Sequence, residues 1–361
     1  MEYKESTSGM LDAMVQPAFT VRNGVIYEIN AGAKAYFLES GGNFRDLLAT
    51  GQTEYEELTA GCLYVTLAIA GVSCGASVRR MADFDLVTLE QEADQAELQA
   101  MALAAQELRM PLSNVMTVAD RLFPMTDASE DPDVKEQTAK INRGLFQMLR
   151  IISNMSDAYR YSQQTETKMS IVNVIELMDE VFTKAAQLLN YGDTQMHFQN
   201  LSQAIFSLAD QEKLERAILN IISNAVKFAP KGSRIDARLS RREDMLYLTI
   251  QDNGNGISGE MRGTVHTRFQ RQPGLEDSRF GIGLGMVLIR VAASIHGGTV
   301  LLDNPEGIGT RITMTMRIRQ NTDSTLRNPM LTVDYAGERD HSLIELSDVL
   351  PFSLYESGNI N

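Results

Sequence analysis

Residues able to bind a phosphorylated, flat ligand cluster in the last half of the chain. In LNIISNAVKFAP, Asn220, Asn224 and Lys227 stand at i, i+4 and i+7, a spacing that puts all three on one helical face. By itself that face also fits an amphipathic core helix with a polar rim. In QDNGNGI, Asp252 closes a strand, and Gly254 and Gly256 let backbone come close to a flat ligand, although a plain turn explains DNG equally well. In FGIGLGMVLIRVAASIHGG, Gly281, Gly283, Leu284 and Gly285 form a loop opening into a helix. The backbone N–H groups of such a loop and the start of its helix cradle phosphate. It is not the dinucleotide fingerprint, because no parallel βαβ unit precedes it. Finally, GIGTRITMTMRI leads glycines through Thr310 into a last strand.

The elements that carry these residues read as multidomain α+β. Residues 168–319 form an α/β sandwich, with a helix at 171–190, a second over DQEKLERAILNIISNAVKF and a strand at MLYLTI. Upstream, from about 86, the apolar positions Leu89, Ala93, Ala96, Ala100 and Leu103 step by four and three. After a phase slip, Leu108, Leu112, Val115, Ala119 and Leu122 do the same. FPMTDASEDPD, with two prolines and acidic turn residues, ends that helix. A second helix follows with Ile141, Leu145, Met148, Ile152, Met155 and Tyr159. The two make a hairpin over 86–165 with an apolar stripe left to bury, so a homodimeric four-helix bundle is expected. Residues 1–85 are a small α/β unit. Two short β-rich runs flank Asn23-Gly24, a hairpin signal, before a helical stretch over AGAKAYFLES and the strands CLYVTLAI and GASVRRMAD.

Taken together, in this order, the four C-terminal segments resemble the N, G1, G2 and G3 boxes of the sensor histidine kinase ATP-binding domain. The resemblance implies ATP and Mg²⁺ as cofactors. Asp252 would accept from the adenine amino group, Asn224 would hold Mg²⁺ against the phosphates, and Lys227 would neutralise phosphate charge. Asn220, Gly254, Gly256, the 281–285 loop and Thr310 would complete the nucleotide site beneath a lid at 258–280. Gyrase-like and chaperone ATPases of the wider superfamily carry a glutamate where Asn220 stands, which favours the kinase branch. In the lid RFQR (268–271) survives, but His266 replaces the usual aromatic. The hairpin resembles the family's dimerisation and phosphotransfer domain, and residues 1–85 resemble, more loosely, a PAS sensory domain.

The resemblance breaks at AAQELRMPLS, residues 104–113. This stretch resembles the H box, typically S-H-E-L-R-T-P-L, whose histidine accepts the γ-phosphoryl group. Glu107, the general base by analogy, and Leu108, Arg109, Pro111 and Leu112 match; Gln106 stands at the histidine. A carboxamide has no nucleophilic nitrogen comparable to imidazole. His197, His266, His296 and His341 all lie outside the hairpin, and His296 reads as structural. Met110 stands where the family usually has Thr or Asn, credited with phosphatase action. Gln106 precedes Leu108 by two residues, about 200° around the helix at ~100° per residue, so it points away from the seam. The expectation is a homologue that binds ATP·Mg²⁺ but does not autophosphorylate at the usual position. The alternative is an active kinase that phosphorylates a histidine on a heterodimer partner (an intact histidine kinase), or another acceptor such as Ser113 or Thr117. A response-regulator receiver domain is the other partner implied.

Bulk properties agree. The 361 residues are 43% hydrophobic and 22% charged, with a formal net charge of -14. That balance disfavours a general nucleic-acid or anionic-membrane binder. The start, MEYKESTSGM, lacks a signal-like apolar core, and the run LYVTLAIAGV is too short to span a bilayer, so a cytoplasmic location is expected. Cys62 and Cys74 read as buried reduced thiols. The tail at 320–361 contains a strand-like LTVDYAG and an apolar ELSDVLPFSLY. It is expected either to pack on the ATP-binding domain as an extra strand and short helix or to dock a partner.

Overall fold

The computed structural model describes residues 9–90, 93–127, 131–162, 167–230, 232–254, 256, 284–304, 309–319 and 339–356. The N-terminal unit is built on strands β1 (Ala18–Arg22), β2 (Val25–Ile29), β3 (Cys62–Ile69), β4 (Val72–Arg80) and β5 (Asp85–Leu89), in the antiparallel order β2-β1-β5-β4-β3. Asn23 and Gly24 join β1 to β2 with φ of 51° and 77°, as a two-residue hairpin with both central residues left-handed requires. The helix expected over 31–40 is a single turn, α1 (Ala31–Lys34), capped by Asn30. The chain then turns back so that Gly41 N–H reaches the Ile26 carbonyl at 2.8 Å, and α2 (Gln52–Glu57) follows. Phe19, Phe44, Leu63, Val65 and Val87 fill the core. Burial pushes the Cys62 thiol up to about 12 and Cys74 to about 11, so both stay protonated at neutral pH.

Residues 86–89, expected to open the long helix, belong instead to β5, paired on both sides. Helix α3 (Ala93–Asp127) then runs through Pro111 and Pro124 rather than ending before the second. Both prolines are exposed, so the carbonyls they leave unpaired, one turn earlier, can reach water. The helix α4 (Pro132–Ser162) packs antiparallel against it. The single seam read from sequence resolves into two stripes. Leu98, Ala105, Leu112, Met116 and Ala119 are buried, whereas Leu103, Leu108, Val115 and Leu122 are 49–59% exposed. On α4, Leu145 and Ile152 are buried while Ile141 and Met148 stay open. The 4-3 pattern merged the two stripes because both are apolar.

The C-terminal unit comprises β6 (Ser170–Asn173), α5 (Val174–Asn190), β7 (Gln195–Gln199), β8 (Phe206–Ala209), α6 (Gln211–Phe228), β9 (Arg234–Arg242), β10 (Met245–Gln251), α7 (Gly285–Ile295), β11 (Val300–Asp303) and β12 (Arg311–Arg317). Strict alternation in β9 and β10 turns Ile235, Ala237, Leu239, Leu246, Leu248 and Ile250 toward the core. α5, α6 and α7 contribute to the same core. The tail adds α8 (His341–Glu345) and a 3-10 turn, Phe352–Tyr355, with Leu343, Ile344, Leu346 and Tyr355 in that core. LTVDYAG lies outside the described residues. Among the described residues no helix is long and apolar enough to cross a membrane.

Strand β3 of the N-terminal unit pairs with β11 of the C-terminal unit, Tyr64 opposite Val300 and Cys62 opposite Leu302. One ten-stranded sheet therefore runs β2-β1-β5-β4-β3-β11-β12-β10-β9-β7. At this joint Arg290 of α7 is buried over the Tyr64 ring at 4.8 Å and pairs with Glu90 at 3.3 Å. Gly61 sits at φ +94°, where an added Cβ would lie 2.4 Å from the Leu302 carbonyl oxygen. Gly71 has a similar φ, +82°, with nothing within 4 Å. In urea unfolding, Gly71→Ala is expected to cost about 1–2 kcal/mol from backbone strain alone. Gly61→Ala should cost at least about 1 kcal/mol more, because the joint must also move apart.

Candidate functional site

Helix α6 presents the first group of expected residues. Its N-cap, Asp210, accepts from the Lys213 N–H at 3.2 Å, the Lys213 ammonium at 2.7 Å and the Lys168 N–H at 2.9 Å. Burial alone would raise the Asp210 carboxyl, but these donors outweigh it and hold the group below the usual carboxylate range. The Asp210 N–H donates to His296 Nε2 at 3.0 Å, and His296 Nδ1 lies 2.6 Å from the Ala292 carbonyl. The Nδ1–H tautomer satisfies both contacts, so the imidazole ties the start of α6 to the end of α7. His296 is structural, as its sequence context suggests.

Asp252 ends β10, almost fully buried, and its Oδ1 accepts from Gly254 N–H at 2.8 Å and Thr310 N–H at 3.1 Å. Burial raises its pKa, opposed by these two bonds. The glycines are dictated by close approach. A Cβ on Gly254 would lie 2.3 Å from the Phe228 carbonyl, and one on Gly309 would lie 1.9 Å from the Asp252 carbonyl. The end of α6, the 252–256 turn and the 309–310 turn are thus knit at backbone distance, with Gly256 at φ +69° beside Asn304. Gly285 opens α7 so close to α6 that its Cβ would meet Asn220 Oδ1 at 3.0 Å and Asn224 Nδ2 at 3.9 Å. Leu284 is buried with Leu98, Ala158, Val287 and Leu288, so its side chain docks α7 on the hairpin and leaves only its backbone for a ligand. Gly281, Gly283, His266 and the 258–280 lid lie outside the described residues.

Asn220 is fully committed. Its Nδ2 donates to the Arg216 carbonyl at 2.9 Å and to Glu345 at 3.2 Å, and its Oδ1 accepts from Arg150 at 3.4 Å. Around it lies a buried ionic cluster that sequence reading missed. Arg216 of α6 donates to Glu345 at 2.9 Å, to Asn154 at 2.7 Å and to Asp157 of α4. Arg150 of α4 pairs with Glu345 at 3.2 Å and Asp348 at 2.5 Å, and Lys227 pairs with Asp348 at 2.6 Å. Lys227 has its pKa lowered by burial and by Arg150, with Asp348 and Glu345 pulling it back up. Arg216 sits one turn before Asn220, the only local hint available; the tail carboxylates come from more than 100 residues away.

A buried carboxylate on a glycine turn, an amide-bearing helix beside it and a glycine at the start of the next helix thus come together in one place. Residues 209–320 match the family described as "Histidine kinase-, DNA gyrase B-, and HSP90-like ATPase". The chain is 26% identical over 243 residues to hybrid signal transduction histidine kinase D of Dictyostelium discoideum, covering 65% of this chain and 16% of that protein. It is 24% identical over 228 residues to sensor histidine kinase RppB of Synechocystis sp., covering 62% of this chain and 50% of that one. The crystal structure of full-length ShkA in complex with AMPPNP shares the fold, with a TM-score of 0.50 and 18% identity, over 62% of this chain and 46% of that one. The chain is similar to sensor histidine kinases, and it spans half or less of the length of these two relatives.

The donor set fits a nucleotide with its magnesium. Among the described residues no cluster of three or more His, Cys, Asp or Glu could hold a metal ion alone. Mg²⁺ at such a site takes most of its ligands from phosphates and water, with few from protein. Asn224 Nδ2 stands 3.9 Å from where a Cβ on Gly285 would lie, at the start of α7, and the Lys227 ammonium meets Asp348.

The His296 link predicts a pH dependence. Burial holds the folded-state pKa of His296 below its ordinary value, near 6.5 in unfolded chains. Its contribution to stability is complete above about pH 6.5 and is lost as pH falls toward the folded value. Between pH 7.5 and 5.5 the unfolding free energy of the protein should fall more steeply than that of His296→Gln. The excess slope should reach at most about 1.4 kcal/mol per pH unit, the limit for one proton.

Proposed function

We propose that this chain is a PAS-containing sensor kinase homologue that binds ATP·Mg²⁺ and does not autophosphorylate at the usual position. The observation that carries the reading is Gln106. It lies exposed on α3 beside exposed Glu107, with Met110 72% exposed on the next turn. The helix presents the acceptor position to solvent, but the residue there has no nucleophilic nitrogen. When bound, the nucleotide supplies phosphates and carries the Mg²⁺. Asp252, oriented by the N–H groups of Gly254 and Thr310, accepts from the adenine amino group, while Asn224 and Lys227 hold the metal and the phosphate charge. Asn220 orients the site from behind, through Arg150 and Glu345.

The decisive measurement is incubation with γ-labelled ATP, alone and with an intact histidine kinase, beside Asn224→Ala. No acid-labile label is expected on the protein alone, and Gln106→His should restore it. Label on the partner's histidine that disappears with Asn224→Ala would favour the alternative, an active kinase in a heterodimer. That alternative draws support from an ATP site whose residues are present although the chain's own acceptor is not.

The open stripe of Leu108, Val115, Leu122, Ile141 and Met148 is the face proposed to pair with a second copy as a four-helix bundle. Val115→Glu with Leu122→Glu should convert a dimer to a monomer in sedimentation experiments, with stability otherwise within about 1 kcal/mol because both positions are exposed in the single chain. A receiver domain is the proposed recipient of any output from that bundle. A cytoplasmic location is in keeping with the lack of a long apolar helix among the described residues.

A further inference from the structure

Two acidic residues of the tail at 339–356, Glu345 and Asp348, each meet two cations. Glu345 is fully buried and accepts from Arg216 and Arg150; Asp348 accepts from Arg150 and Lys227. Glu345 also takes a hydrogen bond from Asn220. Of these groups Lys227 is the one proposed above to meet the phosphates, and the Asp348 carboxylate brings it the same sign of charge as a phosphate. The same segment is tied by its backbone to α4. Arg143 donates to the carbonyls of Ser347 at 2.9 Å and Asp348 at 3.0 Å, and Asn142 donates to that of Tyr355 at 2.9 Å.

We propose that Asp348 is a built-in competitor of the nucleotide: its carboxylate occupies Lys227, and ATP·Mg²⁺ binding displaces it from Lys227 while Glu345 stays paired with Arg150 and Arg216. The proposal rests on the ATP-binding reading above. Because two ligands that exclude one another are coupled reciprocally, whatever draws Asp348 off Lys227 raises nucleotide affinity.

The test compares ATP·Mg²⁺ binding by calorimetry for the full chain and for Asp348→Asn, which frees Lys227 at a partly exposed position. The variant should bind at least tenfold more tightly, with Asn224→Ala in the same background abolishing binding. Hydrogen exchange on the unmodified full chain gives a second measurement, independent of any variant's folding. Backbone amides around Asp348 should exchange faster under saturating ATP·Mg²⁺. If ATP binds but tail exchange does not change and Asp348→Asn binds no tighter, the competitor is disproved while the ATP-binding reading survives. If neither protein binds ATP at millimolar concentration, both are disproved.

Discussion

The arrangement of the C-terminal half depends on one buried carboxylate. Glu345, supplied by the tail, joins Arg150 of the helical hairpin to Arg216 and Asn220 of α6. Buried charges are tolerated only when each is paired and hydrogen-bonded, and removing one partner strands the others at a cost of several kcal/mol. Three segments far apart in sequence must therefore meet in one geometry. The hydrophobic contacts of Tyr355 against Phe146 would permit some sliding; the directional bonds of the cluster do not.

That cluster also decides what the site residues can do. Asn220, one of three amide and ammonium groups on a single helical face, spends its hydrogen bonds on scaffold. Lys227, on the same face, pairs with Asp348, which opposes the lowering of its pKa by burial and by Arg150. Asn224 also reaches the entrance to α7, its Nδ2 3.9 Å from where a Cβ on Gly285 would lie. Residues one helical turn apart have thus been given different tasks by groups that arrive from elsewhere in the chain.

The second constraint is the joint between β3 and β11. A strand edge is a row of unpaired N–H and C=O groups, and here the edges of two units satisfy each other. Arg290 reinforces the joint from α7, the helix that begins at Gly285 and ends at Ile295, with His296 as its C-cap. The N-terminal sheet is consequently in direct contact with α7. A change of twist in that sheet has a short physical path to it, through Tyr64, Glu90 and Arg290.

Much of this was legible in the sequence, and local chemistry is the reason. Asn23-Gly24 specified a hairpin because only left-handed residues close so tight a turn. Gly254 and Gly256 signalled close backbone approach, and the order of the four glycine- and asparagine-bearing segments is what suggests a nucleotide site. Gln106 in place of a histidine is a fact of the sequence alone, and so is its exposed place on α3, two residues from the apolar stripe. What only the tertiary structure decided are the long-range pairings: β3 on β11, two stripes where the heptads showed one, and Glu345 and Asp348 on Arg150, Arg216 and Lys227. Helix and turn signals arise between residues a few positions apart, so a sequence displays them. A carboxylate's partner more than a hundred residues away is chosen by packing, desolvation and charge balance in three dimensions, and nothing in the local pattern around Glu345 names it.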